Sequence, residues 1–173
     1  MSDATYSLLI IDDNAYMRTS LNALARACGV SYVEEAANGA DAFERLRHRR
    51  FDCAMVDLNM DPINGIEFLK LLRRGKDSPD RYLATIVISG YSERSRILEA
   101  RDAGADEFLR KPVTAAAVMA RLRAVVQNRR PFIETRTFFG PDRRRVQTPG
   151  YRGPWRRKTD QVIDTYADTF GAD

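Results

Sequence analysis

Cysteine and histidine are scarce in this chain: its 173 residues hold two of the first and one of the second. Cys28 and Cys53 sit in apolar surroundings without metal-ligand spacing. They read as small buried hydrophobes, which argues against a disulfide framework or a zinc centre. His48 lies in the charged run RLRHRR, which places it on a solvated helix face rather than in a phosphorelay. No apolar run approaches the roughly 20 residues that a membrane-spanning helix needs. The opening MSDATYS has neither a basic n-region nor an apolar stretch. A soluble, cytoplasmic protein with no membrane partner is therefore expected. The length suits one domain plus an appendage and leaves no room for a second full domain. Charge is balanced up to residue 128, with 18 Lys+Arg against 18 Asp+Glu, and the net +4 comes from 129–173, with 10 against 6.

The first 128 residues alternate short apolar runs with amphipathic stretches. Strands are predicted over YSLLII (6–11), YVEEA (32–36), Cys53 to Asp57, LATIVIS (83–89) and DEFLRKP (106–112). The second is the more polar and suits an edge. Helices are predicted over Ala15 to Ala27 before Gly29, over 39–50, over Ile66 to Arg74, over Glu93 to Ala103 before Gly104, and from a Thr114 cap to about Gln127. Near-continuous apolar character in the first, third and fourth strands indicates an α/β fold, a doubly wound parallel sheet covered on both faces. In such sheets ligands bind outside the carboxyl ends of the strands.

Those strand ends carry Asp12 and Asp13, then Asp57, Ser89 and Lys111. Each alone is an ordinary cap or turn residue; the signal is that one sheet gathers them all. Like charges about 4 Å apart repel by roughly 1 to 4 kcal/mol between water and a protein surface, so three carboxylates need a counter-charge. Carboxylate and carbonyl oxygens without Cys or His suit Mg²⁺, which readily bridges to phosphate oxygens. Lys111 adds a point charge and Ser89 a hydroxyl, so the group to be bound is a phosphoryl, with Asp57 as its nucleophile.

The motifs IIDDN (10–14), MVDLNMDPINGIEFL (55–69), IVISGYS (86–92) and GADEFLRKP (104–112) give residues 5–128 a strong resemblance to the receiver domain of two-component response regulators. The resemblance implies a flavodoxin-like (βα)5 sheet of order 2-1-3-4-5. It implies phosphorylation of Asp57 by a histidine kinase or phosphotransfer protein, and Mg²⁺ held by Asp13, Asp57 and the backbone carbonyl of Asn59, with Asp12 acting through water. It further implies catalytic roles for Lys111 and Ser89, a cis bond between Lys111 and Pro112, and a switch in which Ser89 and Phe108 move together. Asn59 and Tyr91 would flank the site. Two departures stand out: the acceptor loop reads NMDPING, with its proline at Pro62, and Ser89 stands where Thr is common. The expected role is that of a stand-alone phosphoacceptor signalling through protein contacts, not an enzyme acting on an external substrate. Aspartyl-phosphate phosphohydrolases share the chemistry, but their Asp-x-Asp motif is missing from IIDDNAY.

Residues 129–173 form a C-terminal extension too short for a winged-helix output domain. Its prolines forbid a long helix before 160–170, where Val162, Ile163, Tyr166 and Phe170 would share one apolar face. Its many aromatics argue against a solvating tail. It is expected to pack on its own receiver, on a second copy or on a partner, with arm exchange in a homodimer favoured. GPDRRR and PWRRK leave nucleic acid as the alternative partner, disfavoured by the modest charge excess.

Overall fold

The computed structural model describes residues 6–90, 94–143 and 161–163. The chain runs β1 (Tyr6–Ile11), α1 (Ala15–Ala27), β2 (Val30–Ala36), α2 (Gly39–His48), β3 (Cys53–Asp57), α3 (Gly65–Arg74), β4 (Ala84–Ser89), α4 (Arg94–Asp102), β5 (Glu107–Arg110) and α5 (Ala115–Val126). Three short strands follow: β6 (Phe132–Glu134), β7 (Phe139–Pro141) and β8 (Gln161–Ile163).

β1 to β5 form one parallel sheet of order β2-β1-β3-β4-β5, the flavodoxin-like arrangement expected from the sequence. Successive strand side chains point to opposite faces, so each strand feeds two cores. Leu8, Ile10, Met55, Ile86 and Ile88 pack with Leu21, Ala25, Leu122 and Val125 of α1 and α5. Leu9, Ile11, Ala54 and Val56 pack with Ala42, Leu46, Phe68 and Leu72 of α2 and α3. Each of the larger side chains here, the Leu, Ile, Val, Met and Phe, contributes about 1.5–3 kcal/mol when fully buried. Cys53 lies within the sheet and Cys28 is half-buried, both as free thiols. His48 is exposed and pairs with Glu44 one turn earlier.

Local signals fix the helix starts. Asn14 accepts from the amides of Tyr16 and Met17, Asn38 from Asp41, and Thr114 from Ala117. Asn64 and Glu67 form a reciprocal capping box at α3, which aims the helix N-terminus at the end of β3. The Asp61–Pro62 and Lys111–Pro112 bonds are both cis. Among the described residues no helix is long and apolar enough to cross a membrane.

The extension packs, in its described part, on its own receiver. β6 pairs antiparallel with β7 on one side and β8 on the other. The helix expected over 160–170 is therefore corrected at Gln161–Ile163, which is a strand. Val162 and Ile163 are β-branched residues that favour an extended backbone, and pairing with β6 replaces a short helix whose nucleation cost leaves it marginal. Tyr166 and Phe170 lie outside the described residues.

Phe132 and Phe139 form a ring cluster with Tyr82, with centroids 5.1 to 5.4 Å apart, and the Arg81 guanidinium lies 3.7 Å from the Phe139 centroid. Gly104 has φ +99°, and a β-carbon there would stand 2.8 Å from Arg73 Cγ. Only glycine fits this combination of backbone and close approach.

Beneath these rings lies a buried ionic network. Arg73, 1% exposed, donates to Asp106 Oδ2 at 2.9 Å, to Thr85 Oγ1 at 3.1 Å and to the carbonyls of Leu83 and Gly104 at 2.8 and 3.0 Å. From the extension, Arg129 reaches Asp106 Oδ1 at 3.3 Å and Arg130 donates to the Asp106 carbonyl. Burial pulls the Arg73 guanidinium down to about 10 despite the attraction of Asp106, so it stays charged at neutral pH.

Candidate functional site

Asp12 follows β1 and Asp57 ends β3, on neighbouring strands whose last paired residues are Ile11 and Val56. Ser89 ends β4, and Lys111 follows β5, its amide donating to the Ser89 carbonyl at 2.9 Å. The parallel register thus brings four polar side chains to one lip of the sheet.

Lys111 Nζ donates to Asp57 Oδ1 at 2.7 Å and stands 3.6 Å from Asp12 Oδ2. The other Asp57 oxygen accepts the Asn59 amide at 2.8 Å, so both oxygens of this carboxylate are held. Asp12 Oδ1 accepts the Asn14 amide at 2.8 Å, whereas Asp12 Oδ2 is buried and makes no hydrogen bond among the described residues. Burial, together with the charges of Asp57 and Asp13, holds the Asp12 carboxyl above its ordinary value against the opposing pull of the Asn14 amide and Lys111. Burial lowers the Lys111 ammonium, but the hydrogen bond and charge of Asp57, helped by Asp12, more than offset this and raise it.

Asp13 is exposed at the rim, beside Asp12, and Asn59 is exposed with only its amide tied to Asp57. Phe108 is half-buried, packed against Val87, Ala100 and their neighbours behind the crevice. Tyr91 lies outside the described residues. Two contributors escaped the sequence reading. Arg18 donates to the Asp12 carbonyl at 2.8 Å while paired with Glu35 at 3.3 Å, which braces the end of β1. Gly65, inside the acceptor motif, allows α3 to touch the backbone of Asp57. A glycine directly after a capping Asn was the visible signal for the latter; nothing in the sequence marks Arg18.

The donor set fits a small hard cation. Asp12 Oδ2 is a buried acceptor without a donor, in a cluster of three carboxylates served by one lysine. Among the described residues no three His, Cys, Asp or Glu side chains form a ready cage. Carboxylate and carbonyl oxygens without Cys or His are the hard donors that Mg²⁺ takes, with waters completing its shell.

Fold and site together define the class: a doubly wound α/β signalling module with an acidic, lysine-bearing crevice at its strand ends. Residues 8–123 match the family described as the response regulator receiver domain, and the chain belongs to that family. Chemotaxis protein CheY-3 of Vibrio cholerae is 32% identical over 120 residues, covering 69% of this chain and 91% of the relative. A protein-glutamate methylesterase/protein-glutamine glutaminase of Myxococcus xanthus is 35% identical over 112 residues, covering 64% of this chain and 31% of the relative. Among solved structures, Vibrio cholerae CheY4 superposes with a TM-score of 0.64 at 26% identity, covering 70% of this chain and 99% of that one. The receiver domain of the Pseudomonas aeruginosa sensor histidine kinase PA1611, solved with magnesium in its active-site cleft, shares the fold at 21% identity and a TM-score of 0.64, covering 72% and 99%.

Proposed function

We propose that this protein is a response regulator that accepts a phosphoryl group on Asp57 from the phosphohistidine of a sensor kinase or phosphotransfer protein, and signals through phosphorylation-dependent protein contacts. The observation that carries this reading is the Asp12–Lys111–Asp57 cluster, with one ammonium between two buried carboxylates and one carboxylate oxygen left without a donor.

An Asp57 oxygen attacks the phosphorus; the new P–O bond forms as the P–N bond breaks, and its electron pair leaves on the imidazole nitrogen. The Asn59 amide and Lys111 hold the carboxylate plane for this attack. Lys111 then follows the charge, passing from Asp57 Oδ1 to a phosphoryl oxygen, while the Ser89 hydroxyl donates to another. Asp13, Asp57 and the backbone carbonyl of Asn59 would hold Mg²⁺, with Asp12 acting through water, and the ion would supply neutralisation of the phosphoryl charge. Water then attacks the same phosphorus, the P–O bond to Asp57 breaks, inorganic phosphate leaves and the carboxylate is restored, so the protein catalyses its own resetting.

The Ser89 movement lets the half-buried Phe108 rotate inward, which alters the surface around α4, β5 and α5. We favour protein contact over nucleic acid as the output. Among the described residues, Arg129, Arg130 and Arg143 of the extension are engaged by Asp106 and Asp102.

The test is intact-mass spectrometry with Mg²⁺ and acetyl phosphate. Wild type gains one phosphoryl group and Asp57→Ala gains none. A wild type that gains nothing, or a gain that survives in Asp57→Ala, refutes the assignment.

A further inference from the structure

The extension and the crevice lie at opposite ends of the same two strands. Thr85 opens the β4–β5 ladder opposite Asp106: the Thr85 amide donates to Asp106 Oδ2 at 2.9 Å and the Asp106 amide to the Thr85 carbonyl at 3.1 Å. Four paired rungs follow, Ile86 with Glu107 through Ser89 with Arg110, and the ladder closes where the Lys111 amide meets the Ser89 carbonyl. At about 3.3 Å per residue the two ends are roughly 15 Å apart. The residues that present Ser89 and Lys111 to the crevice are thus held in register from below by Asp106.

Half of the lock on Asp106 belongs to the extension. Arg129 pairs with its carboxylate, and the same guanidinium lies 4.5 Å from the Phe132 centroid. Arg130 bridges the Asp106 carbonyl and the Asp142 carbonyl beside β7. Arg73, on the other side, faces both Asp106 and the Phe132 ring.

We infer that Asp106, Arg129 and Arg130 are positioning residues for the crevice: the docked extension holds β4 and β5 in the register in which Lys111 grips Asp57, so that docking and a phosphoryl group on Asp57 oppose each other. The inference rests on the phosphoacceptor reading above. Phosphorylation draws Lys111 off the carboxylate and Ser89 toward the new oxygens. It therefore works against the geometry that the docked arm favours, and the arm loosens. Linkage makes the effect reciprocal: whatever factor occupancy takes from docking, undocking returns to occupancy.

The experiment is amide hydrogen exchange on the full chain, with and without Mg²⁺ and beryllium fluoride, a tetrahedral phosphoryl mimic for carboxylates. Peptides spanning 57–60 report the crevice, and peptides spanning 130–141 report the arm. The expected result is slower exchange in the former and at least about fivefold faster exchange in the latter. Arg129→Gln should bind the mimic at least about fivefold more tightly than wild type, while Arg47→Gln on α2 should leave binding unchanged. Protection of the crevice with no change in the arm overturns the coupling and leaves the phosphoacceptor reading standing. An absence of protection at the crevice overturns both. Should Arg129→Gln fail to fold, the wild-type exchange alone decides.

Discussion

Gly65 rests directly on the backbone of Asp57: a β-carbon there would lie 2.2 Å from the Asp57 carbonyl oxygen and 3.0 Å from the Leu58 α-carbon. The start of α3 and the end of β3 are therefore one rigid corner. Gly65→Ala must push them apart and should destabilise the protein by about 1–3 kcal/mol. Urea denaturation measures it; a shift below ~0.5 kcal/mol, the range of an ordinary surface change, contradicts the packing.

Asp12 sets a pH dependence. Its native carboxyl binds a proton more tightly than the unfolded one, so its contribution to stability falls as pH rises from the ordinary value of 3.8 through the raised native value. In chelator at pH 7, Asp12→Asn should melt higher than wild type, and the difference should vanish in acid. Mg²⁺ at tenfold over its Kd should stabilise wild type by about 1.4 kcal/mol and Asp12→Asn by much less. Melts in chelator and in Mg²⁺ check both; equal Mg²⁺ responses would remove Asp12 from the metal site.

Lys111→Met should leave the fold intact and slow phosphorylation by acetyl phosphate at least about 100-fold, the size of effect seen when one oriented donor is lost. Because Lys111 is raised in the native state, its pairing stabilises fully below the ordinary lysine value and is lost as pH rises through the raised one. A mass-spectrometric time course decides; a rate within threefold of wild type, about 0.65 kcal/mol in the barrier, would take Lys111 out of the chemistry.

Arg73→Ala leaves Asp106 buried opposite one fewer cation and should cost about 3–5 kcal/mol. Phe132→Ala opens the ring cluster above it and should cost about 3 kcal/mol. Denaturant titration reads both. If Phe132→Ala costs under ~0.5 kcal/mol, the range of an ordinary surface change, the extension is not part of the receiver's cooperative unit.

The sheet was legible because β1, β3 and β4 are apolar on both faces, a pattern that only a covered parallel sheet explains. Asp12, Asp57, Ser89 and Lys111 were legible for the same reason, since once register is fixed, strand ends converge. The Arg73–Asp106 pair was not. In FLKLLRRG an arginine in the last helical turn reads as a solvated cation, and its partner lies 33 residues away, just before β5. The strand at Gln161–Ile163 was missed because an apolar run that short is decided by its distant partner, β6, rather than by its own periodicity.

The position of Arg129 and Arg130, just beyond α5, bears on how this module can be transplanted. A chimera cut at the end of α5 would carry Arg73 and Asp106 into its new host stripped of their covering. A graft extended through β8, which pairs with β6, keeps that covering and the sheet as one heritable piece.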